Sequence, residues 1–231
     1  MLFRILGIKK YPYISKPLIA FLGLIGVKLV YESGNYDFEA KHLKPSKGIT
    51  FYYGGWHSEK YFDDVKHNIL QSFRFTITEE DLATQQMAQR ISSANSVSIH
   101  VRRGDYLSET NYNTFGAVCT KAYFVGAINM LQKEVVAPVF FVFSNDVAWV
   151  RDNLWVENMF IVDTNKGDNS WKDMYLMTLC KHHINSNSSF SWWGAWLSSN
   201  LNKIVIVPKY FINNLETKDV YPESWTSFKS Y

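Results

Sequence analysis

The hydrophobic positions change rhythm along the chain, and they are most regular in its second half. Val97, Ile99 and Val101 alternate with polar residues, the period of a half-buried strand. The alternation stops at Arg102-Arg103-Gly104-Asp105, where the glycine permits a sharp exit. A helix is expected near 120–133, with Phe124, Ala127, Ile128 and Leu131 facing inward. The run Val139–Phe143 (VFFVF) reads as a strand, and Ser144-Asn145-Asp146 as the cap of a short helix to about Leu154. A strand over 159–162 leads to a Gly- and Asn-containing loop, and Ser170 is expected to cap a helix through about Cys180. Ile184 opens a brief strand, Phe190 to Asn200 reads as a helix, and the strand 204–207 ends at Pro208. Strands alternating with helices predict a parallel, doubly wound sheet.

The first part of the chain is less periodic. Ile49–Tyr53 is a strand candidate, closed by Gly54-Gly55. Ser58 is expected to cap a helix to about Phe73, with Tyr61, Phe62, Val65, Ile69 and Phe73 on one face. Thr78 is expected to cap another through Ile91, with Ala83, Met87 and Ile91 on one side. Polar Ser92-Ser93-Ala94-Asn95 follows, and a domain boundary is placed there, dividing residues 1–94 from 95–231. Leu18 to Val27 is apolar, with Lys9, Lys10 and Lys16 ahead of it. It is shorter than the about 20 residues a membrane span needs. No small-residue cleavage site follows it, so an interior or membrane-touching helix is expected.

Composition narrows the class. With 231 residues, 47% hydrophobic and 19% charged, the chain can bury a sizeable core. The formal charge of +3 suits a small anionic ligand or a membrane surface and is too weak for nucleic acid. Cys119 and Cys180 are far apart, and no Cys/His spacing suits a metal, so neither a disulfide nor a metal site is expected. His182 and His183 are read as pointing to different sides of a helix, a poor chelate. The compartment expected is the cytoplasm, with peripheral contact at an inner membrane.

Three polar clusters each follow a predicted strand: Arg102-Arg103-Gly104-Asp105, Ser144-Asn145-Asp146 and Asn185-Ser186-Asn187-Ser188-Ser189. Ligands of open α/β sheets bind outside the strand carboxyl ends. Paired guanidinium forks there suit a diphosphate, and His100 shares a strand face with Arg102. Helix starts offer free N–H groups to an anion. The plain alternatives are an Arg–Asp pair on a surface turn and serines that only cap a helix. Asp173 is read first as favouring a helix N-terminus. Asp105 and Glu109 are the nearest candidates for a general base. Gly55-Trp56-His57-Ser58-Glu59-Lys60-Tyr61-Phe62 mixes aromatic and polar groups and suits a sugar, with a capped helix as its alternative.

These blocks carry a resemblance. His100-Val101-Arg102-Arg103-Gly104-Asp105 resembles the HxRRxD motif of α1,2-fucosyltransferases, glycosyltransferase family 11. Ser186–Leu197, Gly55–Phe62 (with His57 where Gln is usual) and Tyr221-Pro222-Glu223-Ser224-Trp225 resemble three further blocks of that family, in order. The resemblance implies an α/β, GT-B-like fold: a Rossmann-like parallel-sheet C-terminal domain holding a GDP-sugar, and a shortened N-terminal domain on the acceptor side. It implies inverting transfer of fucose from GDP-fucose to the 2-hydroxyl of a galactose-terminated glycan, in a bacterial surface polysaccharide, with no cofactor and no metal. By position, Arg102 and Arg103 bind the diphosphate, Asp105 braces them, and His100 and Asp173 contact guanine. Ser188 and Ser189 bond phosphate oxygens, with Phe190 beside them. The family's opening strand and GGLGNQ loop are not found in this sequence. The alternative expectation is therefore a chain that binds GDP or GDP-fucose without turnover.

Overall fold

The computed structural model describes residues 23–24, 26–44 and 48–229. Most of the apolar stretch 18–27 lies outside them. Among the described residues, no helix is long and apolar enough to cross a membrane.

Two sheets are present among these residues. In the smaller, β1 (Val27–Tyr31) pairs in parallel with β2 (Ile49–Tyr53). The larger contains β3 (Asn95–Val101), β4 (Pro138–Ser144), β5 (Met159–Val162), β6 (His182–Ile184), β7 (Val205–Pro208) and β8 (Thr226–Phe228). Its order is β5-β4-β3-β6-β7-β8, and every pairing is parallel. The chain winds outward from β3 to β5, returns to β6 on the other side of β3, and winds outward again. This is a Rossmann-like α/β architecture, and its topological switch point lies between β3 and β6.

The helices are α1 (Lys66–Ser72), α2 (Leu82–Ser92), α3 (Lys121–Glu134), α4 (Val147–Asn153), α5 (Trp171–Leu179) and α6 (Ser189–Trp196). Both faces of the sheet are covered. Phe140 and Val142 of β4 pack with Phe124, Ala127 and Leu131 of α3. The alternate residues Phe141 and Phe143 pack with Leu176 and Met177 of α5 and Ile91 of α2. Burial on both faces is why this strand reads as a continuous apolar run. Each buried phenylalanine contributes about 2 kcal/mol. A third cluster joins Trp192, Ala195 and Trp196 of α6 to Val205 and Val207 of β7, Trp225 and Phe62.

Several local expectations are corrected. The stretch after Ser58 is not one helix but two 3-10 turns, Glu59–Tyr61 and Asp63–Val65, followed by α1. The break falls at Phe62 (φ −142°), whose ring stacks on Trp193 at 5.6 Å, so aromatic docking overrides helical periodicity. Asp81, not Thr78, caps α2 by accepting the Thr84 N–H at 3.3 Å. Ser170 is itself helical and its side chain caps nothing. Ile184 closes β6 rather than opening a strand, and α6 ends at Trp196. His182 and His183 lie on β6, not on a helix: His182 Nδ1 accepts the Ile204 N–H at 3.1 Å, and His183 Nδ1 pairs with Ser98 Oγ at 2.7 Å. The strands β1 and β8 were not expected.

Candidate functional site

Because β3, β4 and β6 run in parallel, the three polar clusters emerge at one rim of the sheet. The arginines leaving β3 and the serines leading into α6 therefore sit on the same side. The contact between them is direct at His100. Its Nδ1 lies 2.8 Å from Ser186 Oγ, and its ring lies 5.5 Å from that of Phe190. Burial, with Arg102 nearby, pushes His100 down to about 3, so the imidazole is neutral at ordinary pH.

Each arginine is tethered through Nε. Arg102 pairs with Asp105 at 2.9 Å and lies over the Tyr106 ring. Arg103 pairs with Asp146 at 3.1 Å and packs over Trp149 at 4.3 Å. The Arg–Asp pair on a turn is thus real, but both tethers leave the guanidinium tips without a hydrogen-bond partner among the described residues. Asp146 also caps α4 by accepting the Trp149 N–H at 3.1 Å. Asn145 Oδ1 accepts the Arg103 N–H at 2.9 Å. Gly104 is a close-approach position, since a Cβ there collides with the Asn145 amide.

The turn into α6 is rigidly held. Ser188 Oγ caps the helix by accepting the Phe190 N–H at 3.3 Å. Asn187 is buried, donating to the Phe115 and Phe211 carbonyls at 3.2 and 3.0 Å. Tyr106 donates to the Asn187 carbonyl at 3.0 Å, tying the arginine turn to the serine turn. Ser189 is exposed and opens toward solvent.

The remaining candidates are spread more widely. Asp173 lies in the first turn of α5, whose start shares the rim because it too follows a parallel strand. It accepts from Asn165 Nδ2 at 2.8 Å and makes no bond to the arginines. Burial lifts it to about 6, with Asn165 pulling the other way. Glu109 is exposed, beyond the 3-10 turn Gly104–Leu107. Among the described residues, no group of three or more His, Cys, Asp or Glu side chains is disposed to hold a metal ion.

Sequence reasoning missed a second constellation. Glu32, whose side chain is 3% exposed, accepts the Gly55 N–H at 2.8 Å and the His57 N–H at 2.7 Å, and meets His57 Nδ1 at 3.1 Å. Burial alone raises this carboxyl; the bonds from His57 and Gly55 outweigh it and bring it below its usual value. A lone glutamate in an unassigned segment carries no sequence signal. Tyr106 and Asn187 were missed as cross-links for a similar reason.

The sequence profile of glycosyl transferase family 11 matches residues 29–229. The chain is 36% identical to an alpha-1,2-colitosyltransferase of Escherichia coli, over 84% of its own length and 67% of that protein's. It is 37% identical to the O-antigen biosynthesis glycosyltransferase WbnK of Escherichia coli, over 58% of this chain and 44% of that one. It is also 37% identical to galactoside alpha-(1,2)-fucosyltransferase 1 of Alouatta belzebul, over 44% and 28% of the two chains. It thus spans at most about two thirds of these relatives. With the profile running from β1 through β8 and the arginine and serine turns meeting at the sheet's switch point, this chain belongs to glycosyltransferase family 11.

Proposed function

We propose that this glycosyltransferase moves fucose from GDP-fucose to the 2-hydroxyl of a galactoside, with inversion at the anomeric carbon. The observation that carries the reading is the His100–Ser186 contact, which closes the switch point between the arginine turn and the start of α6. In this reading the tips of Arg102 and Arg103 take the diphosphate, as planar forks suited to paired oxygens. Asp105 braces Arg102 at 2.9 Å. Ser188, Ser189 and the free N–H groups of α6 bond phosphate oxygens. Neutral His100 and Asp173 contact guanine, and Phe190 packs beside His100.

The acceptor oxygen forms its bond to the fucosyl anomeric carbon as the bond to the β-phosphate breaks, and its proton passes to a carboxylate base, for which Asp105 and Glu109 are the candidates. The electron pair leaves with GDP, where the arginines meet the developing charge without a metal. The E. coli relatives favour a bacterial surface polysaccharide as the acceptor's setting, worked on from the cytoplasmic side. A colitosyl donor is a second reading, favoured by the relative matched over 84% of the chain.

Incubation with GDP-fucose and methyl β-galactoside, with and without EDTA, tests the reading by mass spectrometry and NMR of the product. A fucosyl-α1,2-galactoside formed equally in both samples is expected. GDP-colitose turned over in preference selects the second reading. GDP binding by calorimetry with no transfer from either donor overturns the enzymatic reading and leaves a nucleotide-binding protein.

A further inference from the structure

A cleft opens beside the exposed Ser189, between α6 and the turn that follows β2. Its walls include Trp56, His57, Phe62, Trp193 and Phe211. Ser189 both lines the cleft and opens α6, so the cleft borders the rim described above. We infer that it is the acceptor subsite, and that His57, oriented by Glu32, receives a hydrogen bond from a hydroxyl of the acceptor sugar. The inference rests on the glycosyl-transfer reading and names the residues that select its acceptor.

Three observations support it. First, the turn is built at a cost. Trp56 is a non-glycine residue with φ +49°, and a Cβ on Gly54 would lie 2.5 Å from the Glu32 Cβ. A Cβ on Gly55 would strike the His57 ring. Backbone strain of this kind persists where its surroundings over-determine it, as in ligand clamps. What it achieves here is to bring two N–H groups and one imidazole onto a single buried carboxylate.

Second, the dyad fixes a tautomer. An ionised carboxylate only accepts, so whenever the imidazole holds a single proton that proton sits on Nδ1, facing Glu32. The lone pair is then on Nε2, which has no hydrogen bond among the described residues. The ring cannot swing away, because Tyr36 stacks on it at 4.0 Å and Phe211 meets it edge-on at 5.4 Å. Third, most of the remaining lining is aromatic, with Gly55, Ser189 and Val220 between the rings. Aromatic faces with one fixed polar group suit the C–H face and hydroxyl edge of a pyranose.

Kinetics of His57→Ala, His57→Gln and Glu32→Gln with GDP-fucose and methyl β-galactoside test this. His57→Ala should raise the acceptor KM about tenfold, the loss of one hydrogen bond, with the KM for GDP-fucose and the calorimetric affinity for GDP unchanged. His57→Gln should recover most of the acceptor affinity, since its amide oxygen accepts; Glu32→Gln should resemble His57→Ala. An unchanged acceptor KM in His57→Ala overturns the inference, as does an equal loss of donor and acceptor affinity. Saturation-transfer NMR on the wild type with GDP and methyl β-galactoside needs no variant to fold and no turnover. Saturation passing to the galactoside, and lost in His57→Ala, supports the cleft even if fucose is not transferred. GDP binding with no saturation of the sugar overturns it while leaving the donor reading intact.

Discussion

At the scale of single residues, the site depends on small side chains that hold large ones. Gly104 leaves room for Asn145, which in turn holds the Arg103 N–H. Gly104→Ala should displace that amide and lower kcat/KM at least about tenfold, read in the transfer assay, with the thermal midpoint nearly kept. Arg103→Lys should lose roughly 100-fold in kcat, because a point charge replaces neither the fork proposed for the diphosphate nor the Asp146 tether. Asp173 behaves differently. Its folded value of about 6 lies above the ordinary 3.8, so the native state binds the proton more tightly. Stability therefore falls as pH rises through that interval, and the cost persists at neutrality. Asp173→Asn should stabilise the protein by roughly 2 kcal/mol at pH 7.5 in urea melts. On the guanine contact proposed above, the same change should weaken GDP binding by calorimetry. The HxRRxD-like run was readable because its chemistry is contiguous in sequence. Glu32 was not readable, because its meaning comes only from the His57 and Gly55 groups folded onto it.

At the scale of elements, β3 and β6 share two serine–histidine contacts, Ser98–His183 and His100–Ser186, one within the ladder and one at its rim. Both imidazoles are buried and both are pushed below their usual value, His100 to about 3. Groups of this kind add stability that is present above about pH 6.5 and lost as pH falls toward the folded value. Each contributes about 1.4 kcal/mol per pH unit in that window. Asp173 opposes them between about 4 and 6 with a single proton. The urea midpoint should therefore be lower at pH 5 than at pH 7.5; equal midpoints would show that the seam opens without charging. Elements whose periodicity came from their own packing face were legible: β3, β4, β5, α3 and the apolar body of α6. Those shaped by partners were not. The helix expected after Ser58 breaks where Phe62 is drawn onto Trp193. The two-stranded sheet depends on a β1 segment whose alternation is short and whose neighbour β2 begins 18 positions after β1 ends, from Tyr31 to Ile49.

At the scale of the molecule, the N-terminal segment is clasped to the last loop. Asp219 accepts the Phe38 N–H at 3.0 Å and Lys60 Nζ at 2.7 Å, while Asp37 accepts the Lys218 N–H at 2.9 Å. Asp219→Ala should loosen this clasp more than the sheet. Limited proteolysis should become faster between β1 and α1, and the acceptor KM should rise, with GDP affinity retained. Loss of GDP binding as well would show that the clasp supports the whole fold. Phe38 and Asp219 are 181 positions apart, and the cleft beside His57 has one wall from each end of that interval. The arginine and serine turns lie between His100 and Ser189. Neither region closes from local sequence alone: Asn187 donates to the Phe211 carbonyl at 3.0 Å and Trp192 Nε1 to the Val220 carbonyl at 2.7 Å, so both wait for the stretch 211–220 to dock. The stretch 211–220 is thus a shared buttress, bracing the serine turn through Phe211 and walling the cleft beside His57 with Phe211 and Val220.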